Sequence, residues 1–118
     1  MRDRSWYRLG DALDAIAQIA GLLNGKTLSD LQSDRPLKAA FERFLEILSE
    51  ASRHIPEQLK AAEPGIEWRQ VADIGNHLRH AYHRVDAEIL WRLYADGKLL
   101  ELHDALARMR AKLPVPDP

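Results

Sequence analysis

The chain has 118 residues, no cysteine, a formal net charge of −1, and 30% charged against 46% hydrophobic residues. That balance predicts one globular domain over residues 1–113 with a disordered tail at 114–118, and it excludes disulfides, thiol catalysis and a global basic field for nucleic acid. The charged start MRDRSWYRLGD is unlike a secretory signal, and no window approaches the ~18 apolar residues of a membrane span, so a cytoplasmic protein is expected.

From about Ser5 to Leu23 the chain reads as an amphipathic helix. Leu9, Leu13, Ile16, Ala20 and Leu23 recur at three- and four-residue steps, and Asn24-Gly25 is a stop signal. Thr27 to Ser33 reads as a connector with a short helical turn that lets Leu28 and Leu31 dip into the core. A second long helix is expected from Asp34 to His54, with Asp34 as its cap and Pro36 in the first turn, where a missing N–H costs little. Its apolar stripe is Leu37, Phe41, Phe44, Leu48, Ala51 and Ile55. Glu42, Arg43, Glu46 and Glu50 read as its solvated or ion-paired face.

Pro56 to Ala62 predicts a brief helical segment before Pro64-Gly65, the strongest break in the sequence. A third helix should run from Trp68 to about Tyr82. Asp86 is placed to cap a further helix carrying Ile89, Leu90 and Trp91. Gly97 interrupts it, and Leu99, Leu102, Leu106, Met109 and Leu113 form a final stripe. Trp6, Trp68 and Trp91 read as core or interface aromatics. With no hairpin signal and no repeat, the expected fold class is all-α: an antiparallel four-helix bundle with one or two extra short helices.

The third helix concentrates the chemistry. Asn76, His77, Arg79, His80, Tyr82, His83 and Arg84 fall within nine positions. On a helical wheel centred on Leu78, Val71, Ile74, Gly75, Tyr82 and Val85 share the apolar side, and Asn76, His80 and His83 point roughly 140–200° away. An isolated histidine such as His54 or His103 is most simply a surface or hydrogen-bonded residue. His80 differs because it faces away from the apolar stripe, with Asn76 one turn earlier. Imidazole exchanges protons near neutral pH, an amide can orient it, and Arg79 and Arg84 offer guanidinium forks that suit phosphate. This set suits the handling of a phosphodiester.

A metal centre is the weaker alternative. His77, His80 and His83 drift by about 60° per step, too spread to converge on one ion, and the arginines would oppose a dication. No glycine-rich phosphate loop, HExxH or GxSxG pattern is present, and neither metal nor other cofactor is expected.

Several fragments, in order and spacing, resemble the HepT-like group of HEPN-domain proteins, the toxins of MNT–HEPN toxin–antitoxin pairs. They are AAFERFLEILSEA at residues 39–51, where Ser49-Glu50-Ala51 stands for a Gly-Glu-Ala signature, then Trp68-Arg69, Asn76-x-Leu78-x-His80-x-Tyr82, and Val85-Asp86 leading to Trp91. The resemblance implies a helical homodimer whose paired Arg-x(4–6)-His motifs line a shared cleft and cleave RNA without metal. It also implies a nucleotidyltransferase antitoxin partner that neutralises the toxin by transferring AMP to a tyrosine. On this sequence His80 matches the motif histidine, Tyr82 the modified tyrosine and Asn76 the polar residue after the arginine. Arg69, His83 and Arg84 are further candidate phosphate contacts. By its wheel position alone, Tyr82 reads equally well as a core or interface tyrosine.

One departure bears on activity. The motif arginine aligns with Gly75, and neither Asp73 nor Ile74 supplies it. Arg79 lies one turn beyond and could bring a guanidinium near the vacated place. Arg69, two turns away, is less suited. Two expectations therefore stand: a ribonuclease with a relocated arginine, or a catalytically silent helical dimer that binds a nucleotidyltransferase. Gly75, which costs a helix about 1 kcal/mol relative to alanine, also suggests a close backbone approach, such as helix to helix across a dimer, or a slight bend that re-aims His80. Restoration of cutting by Gly75→Arg would identify the missing arginine as the cause of a silent site.

Overall fold

The computed structural model describes residues 4–80 and 86–117, and among these it is entirely helical and irregular structure. Helix α1 spans Ser5–Leu23, α2 Leu28–Ser33, α3 Arg35–Arg53, α4 Glu57–Ala61, α5 Trp68–His80, α6 Ala87–Ala95 and α7 Lys98–Ala111. Among the described residues the all-α expectation holds, with four longer helices and three short ones where one or two were expected.

Local chemistry accounts for most of the boundaries. Leu23 ends α1 because Gly25 follows at φ +74°, a left-handed backbone that glycine adopts without steric cost. Thr27 and Asp30 form a reciprocal capping box, in which Asp30 N–H donates to Thr27 Oγ1 at 3.1 Å and Thr27 N–H donates to Asp30 Oδ2 at 2.8 Å. That box turns the expected connector into α2. Asp34 caps α3 by accepting from Leu37 N–H at 3.1 Å, and Asp86 caps α6 by accepting from Glu88 N–H at 2.9 Å. Gly97, at φ +80°, separates α6 from α7.

Helix α1 packs between α3 and α7, and α5 packs against the outer side of α3. Arg110, near the end of α7, stacks on the ring of Trp6, near the start of α1, so these two run antiparallel. Ser49 of α3 meets Gly75 of α5, and Arg53, one turn further along α3, meets Ala72, one turn back along α5, so that pair is antiparallel as well. The core is built from Leu9, Ile16, Ile19 and Leu23 of α1, Phe41, Leu45 and Leu48 of α3, and Leu102, Leu106 and Met109 of α7.

Several expected core positions differ. Leu13, Leu28, Phe44 and Leu113 are half-buried at the margin of the core, and Ala20 is exposed. Ala12, Ile19 and Leu45 are sealed instead, because α1 and α3 are each flanked on two sides and bury a wider face than one stripe.

The charged face of α3 is ion-paired as expected. Lys38 meets Glu42 at 3.9 Å, Arg43 meets Glu46 at 3.7 Å and His54 meets Glu50 at 3.0 Å. Trp68 is half-buried, and its Nε1–H donates to the carbonyls of Lys60 and Glu63, both at 3.2 Å, which fixes the entry to α5. Arg108 of α7 grips Glu63 through two hydrogen bonds of 3.2 and 2.7 Å and ties the same corner to the bundle. Residues 114–117, read from sequence as part of a tail, carry no regular structure and line an open cavity with Trp6 and Tyr7. No helix among the described residues is long and apolar enough to cross a membrane.

Candidate functional site

Helix α5 is thinly buried: only Val71 and Gly75 are fully covered, while Ile74 and Leu78 are half-exposed. The line of deepest burial therefore runs through Gly75, about 60° round the helix from Leu78. Measured from Gly75, Asn76 lies at about 100° and His80 at about 140°, while Arg79 lies at only about 40°. Asn76, His77, Arg79 and His80 are all exposed. Tyr82, His83 and Arg84 lie outside the described residues. Arg69 is exposed at the other end of α5, more than two turns before His80.

Gly75 sits where α5 crosses α3, and the partner is Ser49. The Ser49 hydroxyl accepts from the Gly75 N–H at 2.9 Å and donates to the Ala72 carbonyl at 2.8 Å. A Cβ added at Gly75 would lie 2.9 Å from Ser49 Oγ and 3.3 Å from Ser49 Cβ. The close approach anticipated at this glycine thus occurs within one chain, between α3 and α5. The third neighbour of that Cβ position is Arg79 Nη1, at 3.2 Å. Because a helical side chain leans toward the N-terminus, the guanidinium of Arg79 folds back one turn and lies over the glycine.

Two α3 residues at this crossing were not read from sequence as part of the site. Ser49, which entered only through the Ser49-Glu50-Ala51 resemblance, is fully buried. Arg53 is exposed, yet its Nε and Nη2 both donate to the Ala72 carbonyl, at 3.2 and 2.9 Å. Glu50 sits beside them. Its hydrogen bond with His54 holds its carboxyl below the ordinary carboxylate range, and the charges of Arg53 and Arg79 act in the same direction. The crossing is therefore a small polar cluster with two guanidiniums at its surface. His54 is bound to Glu50 and His103 lies 3.3 Å from Asp104, so both have the local partners expected of surface histidines.

Chemically, the surface around the end of α5 offers an exposed imidazole, an exposed amide and a guanidinium lying over Gly75. Those are the groups needed to move a proton and to steady a phosphate. Among the described residues, no three His, Asp or Glu side chains gather in a way that could hold a metal ion.

The family profile described as "Ribonuclease HepT-like" matches residues 12–109. A protein of Thermococcus cleftensis named as a probable ribonuclease HepT is 37% identical over 84 residues, covering 71% of this chain and 76% of that one. A second relative, from Methanocaldococcus jannaschii and provisionally named as an RNase, is 29% identical over 83 residues, or 70% of this chain and 69% of its own. No solved structure matches significantly. A profile match over most of the length, joined to identity at this level, shows that the chain belongs to the HepT-like family of HEPN-domain proteins.

Proposed function

We propose that this chain is a metal-independent endoribonuclease acting as a homodimer, with His80 as the proton-transfer group, Arg79 as the cation and Asn76 as the orienting amide. In this reading His80 of one protomer takes the proton of a ribose 2′-OH. The oxygen then attacks the adjacent phosphorus, the P–O5′ bond breaks, and the second protomer's imidazole protonates the departing 5′-oxygen. The products are a 2′,3′-cyclic phosphate and a 5′-hydroxyl. The arginine offsets charge that builds on the phosphoryl oxygens.

The observation that carries this reading is the Arg79 guanidinium lying over Gly75, 3.2 Å from where a side chain there would begin. A cation thus stands near the position to which the resemblance assigns the motif arginine. The exposed setting of His80 fits as well, since an imidazole sealed within one bundle could not reach RNA. Names given to the relatives point to the same substrate class. Arg69, His83 and Arg84 are further phosphate contacts in this scheme. Tyr82 is the acceptor of AMP from a nucleotidyltransferase antitoxin that silences the toxin.

The test is incubation of purified protein with total RNA in excess EDTA. Cleavage that persists in the wild type and disappears in His80→Ala supports the reading; intact RNA with wild-type protein overturns it. Gly75 itself favours one second reading, a silent helical dimer that only binds the nucleotidyltransferase. Intact-mass measurement after co-expression with the neighbouring gene product reads the tyrosine's role: one or more added AMP units on the wild type and none on Tyr82→Phe.

A further inference from the structure

Arg53 is held in an unusual way for an exposed arginine. Two of its nitrogens share the Ala72 carbonyl, which also receives the Ser49 hydroxyl at 2.8 Å. The long side chain is thereby fixed across the α3–α5 seam, and the rotamer freedom that a surface arginine gives up on binding an anion is already lost. Its Nη1 makes no hydrogen bond among the described residues. From the other side of Ser49, Arg79 brings its own Nη1 to within 3.2 Å of the Gly75 Cβ position, itself 2.9 Å from Ser49 Oγ. Two guanidiniums therefore flank one buried hydroxyl.

The Glu50 carboxylate feels the charges of both guanidiniums without pairing directly with either. No described carboxylate lies within ion-pair distance of Arg53 or Arg79. The nearest acid on α3, Glu50, is engaged with His54 at 3.0 Å. A helix-to-helix staple would be satisfied by a neutral donor on Ala72, and the Ser49 hydroxyl already supplies one. The planar fork of a guanidinium, fixed at one edge and open at the other, matches the oxygens of a phosphate.

We infer that Arg53 is a second phosphate contact of the site: with Arg79 it holds the backbone of a single RNA strand laid across the α3–α5 seam. This rests on the ribonuclease reading above. It places the strand over Ser49 and Gly75 on its way to His80, and it assigns Arg53 to substrate binding while leaving proton transfer to the imidazole.

The experiment is fluorescence anisotropy with a labelled single-stranded RNA and full-length His80→Ala protein, which binds without cutting. Salt is raised from about 50 to about 200 mM. Adding Arg53→Gln should weaken binding several-fold at low salt and reduce the slope of log K against log salt by about 0.7, the share of one single-strand phosphate. Arg53→Lys, which keeps the charge and loses the fork, should keep the slope and still weaken binding. In the cutting-competent protein Arg53→Gln should raise KM and leave kcat. An unchanged slope in Arg53→Gln, or an unchanged affinity in Arg53→Lys, reduces Arg53 to a helix staple and overturns this inference alone. Failure of the parent His80→Ala protein to bind RNA overturns the ribonuclease reading together with it.

Discussion

The Ser49 hydroxyl and the Gly75 backbone N–H meet at 2.9 Å across the α3–α5 crossing, and that contact leaves no room for a side chain at position 75. Alanine there would gain about 1 kcal/mol of helix propensity. It would also set a methyl group 2.9 Å from a buried oxygen held by two hydrogen bonds, and overpacking of this kind costs roughly 1–3 kcal/mol. Gly75→Ala should therefore lower the urea midpoint. A rise in the midpoint would mean that the two helices part easily.

The same geometry bears on the outcome of Gly75→Arg. If the motif arginine were simply missing, Gly75→Arg should restore or improve cutting. The place is instead occupied by the Arg79 guanidinium, and a Cβ at 75 comes 3.2 Å from it. Gly75→Arg should cut RNA no faster than wild type in single-turnover assays. Combining it with both Arg79→Ala and Ser49→Gly, which removes all three nearest contacts, should recover part of the loss. A single Gly75→Arg variant faster than wild type would show that Arg79 is not the working cation.

Core truncations should rank by burial. Phe41 is fully buried in the core, whereas Phe44, one turn on, is half-buried at its margin. Phe41→Ala should cost about 3–5 kcal/mol in urea melts, and Phe44→Ala should cost clearly less. Equal losses would mean that the margin closes further over Phe44 than its exposure indicates.

Acid sensitivity should trace to the α4–α7 corner. The Arg108 hydrogen bonds hold the Glu63 carboxyl below its ordinary value of about 4.5. The folded-state value is depressed, so the stability this pair contributes is present above the unfolded value and is lost as pH falls through the folded one. Glu50 shifts in the same direction through His54. Urea midpoints measured from pH 7 downward should fall below about pH 4.5, and Glu63→Gln should flatten that fall while lowering the neutral-pH midpoint. An identical pH dependence in wild type and Glu63→Gln would remove this ion pair from the account.

Much of the architecture was legible in the chain because the signals that start and stop helices act within a few residues. Asp34 and Asp86 cap through their own side chains, Gly25 and Gly97 adopt left-handed backbone where the periodic pattern breaks, and Pro56 and Pro64 bracket a short helix. The chemistry-bearing face of α5 was legible for the same reason: Asn76 and His80 are exposed, as the wheel requires.

What the sequence by itself determined, then, was the set of helices and the residue types brought to the end of α5. Tertiary structure alone decided which side of α5 faces inward. The wheel placed its centre at Leu78, but a helix turns toward the neighbour that fits it. That neighbour is Ser49, 26 residues earlier, whose hydroxyl would lie 2.9 Å from a Cβ at position 75. Burial at Gly75 swings Arg79 onto the seam and brings Arg53 to its other side. No local period could report either placement, because both depend on the shape of a second helix.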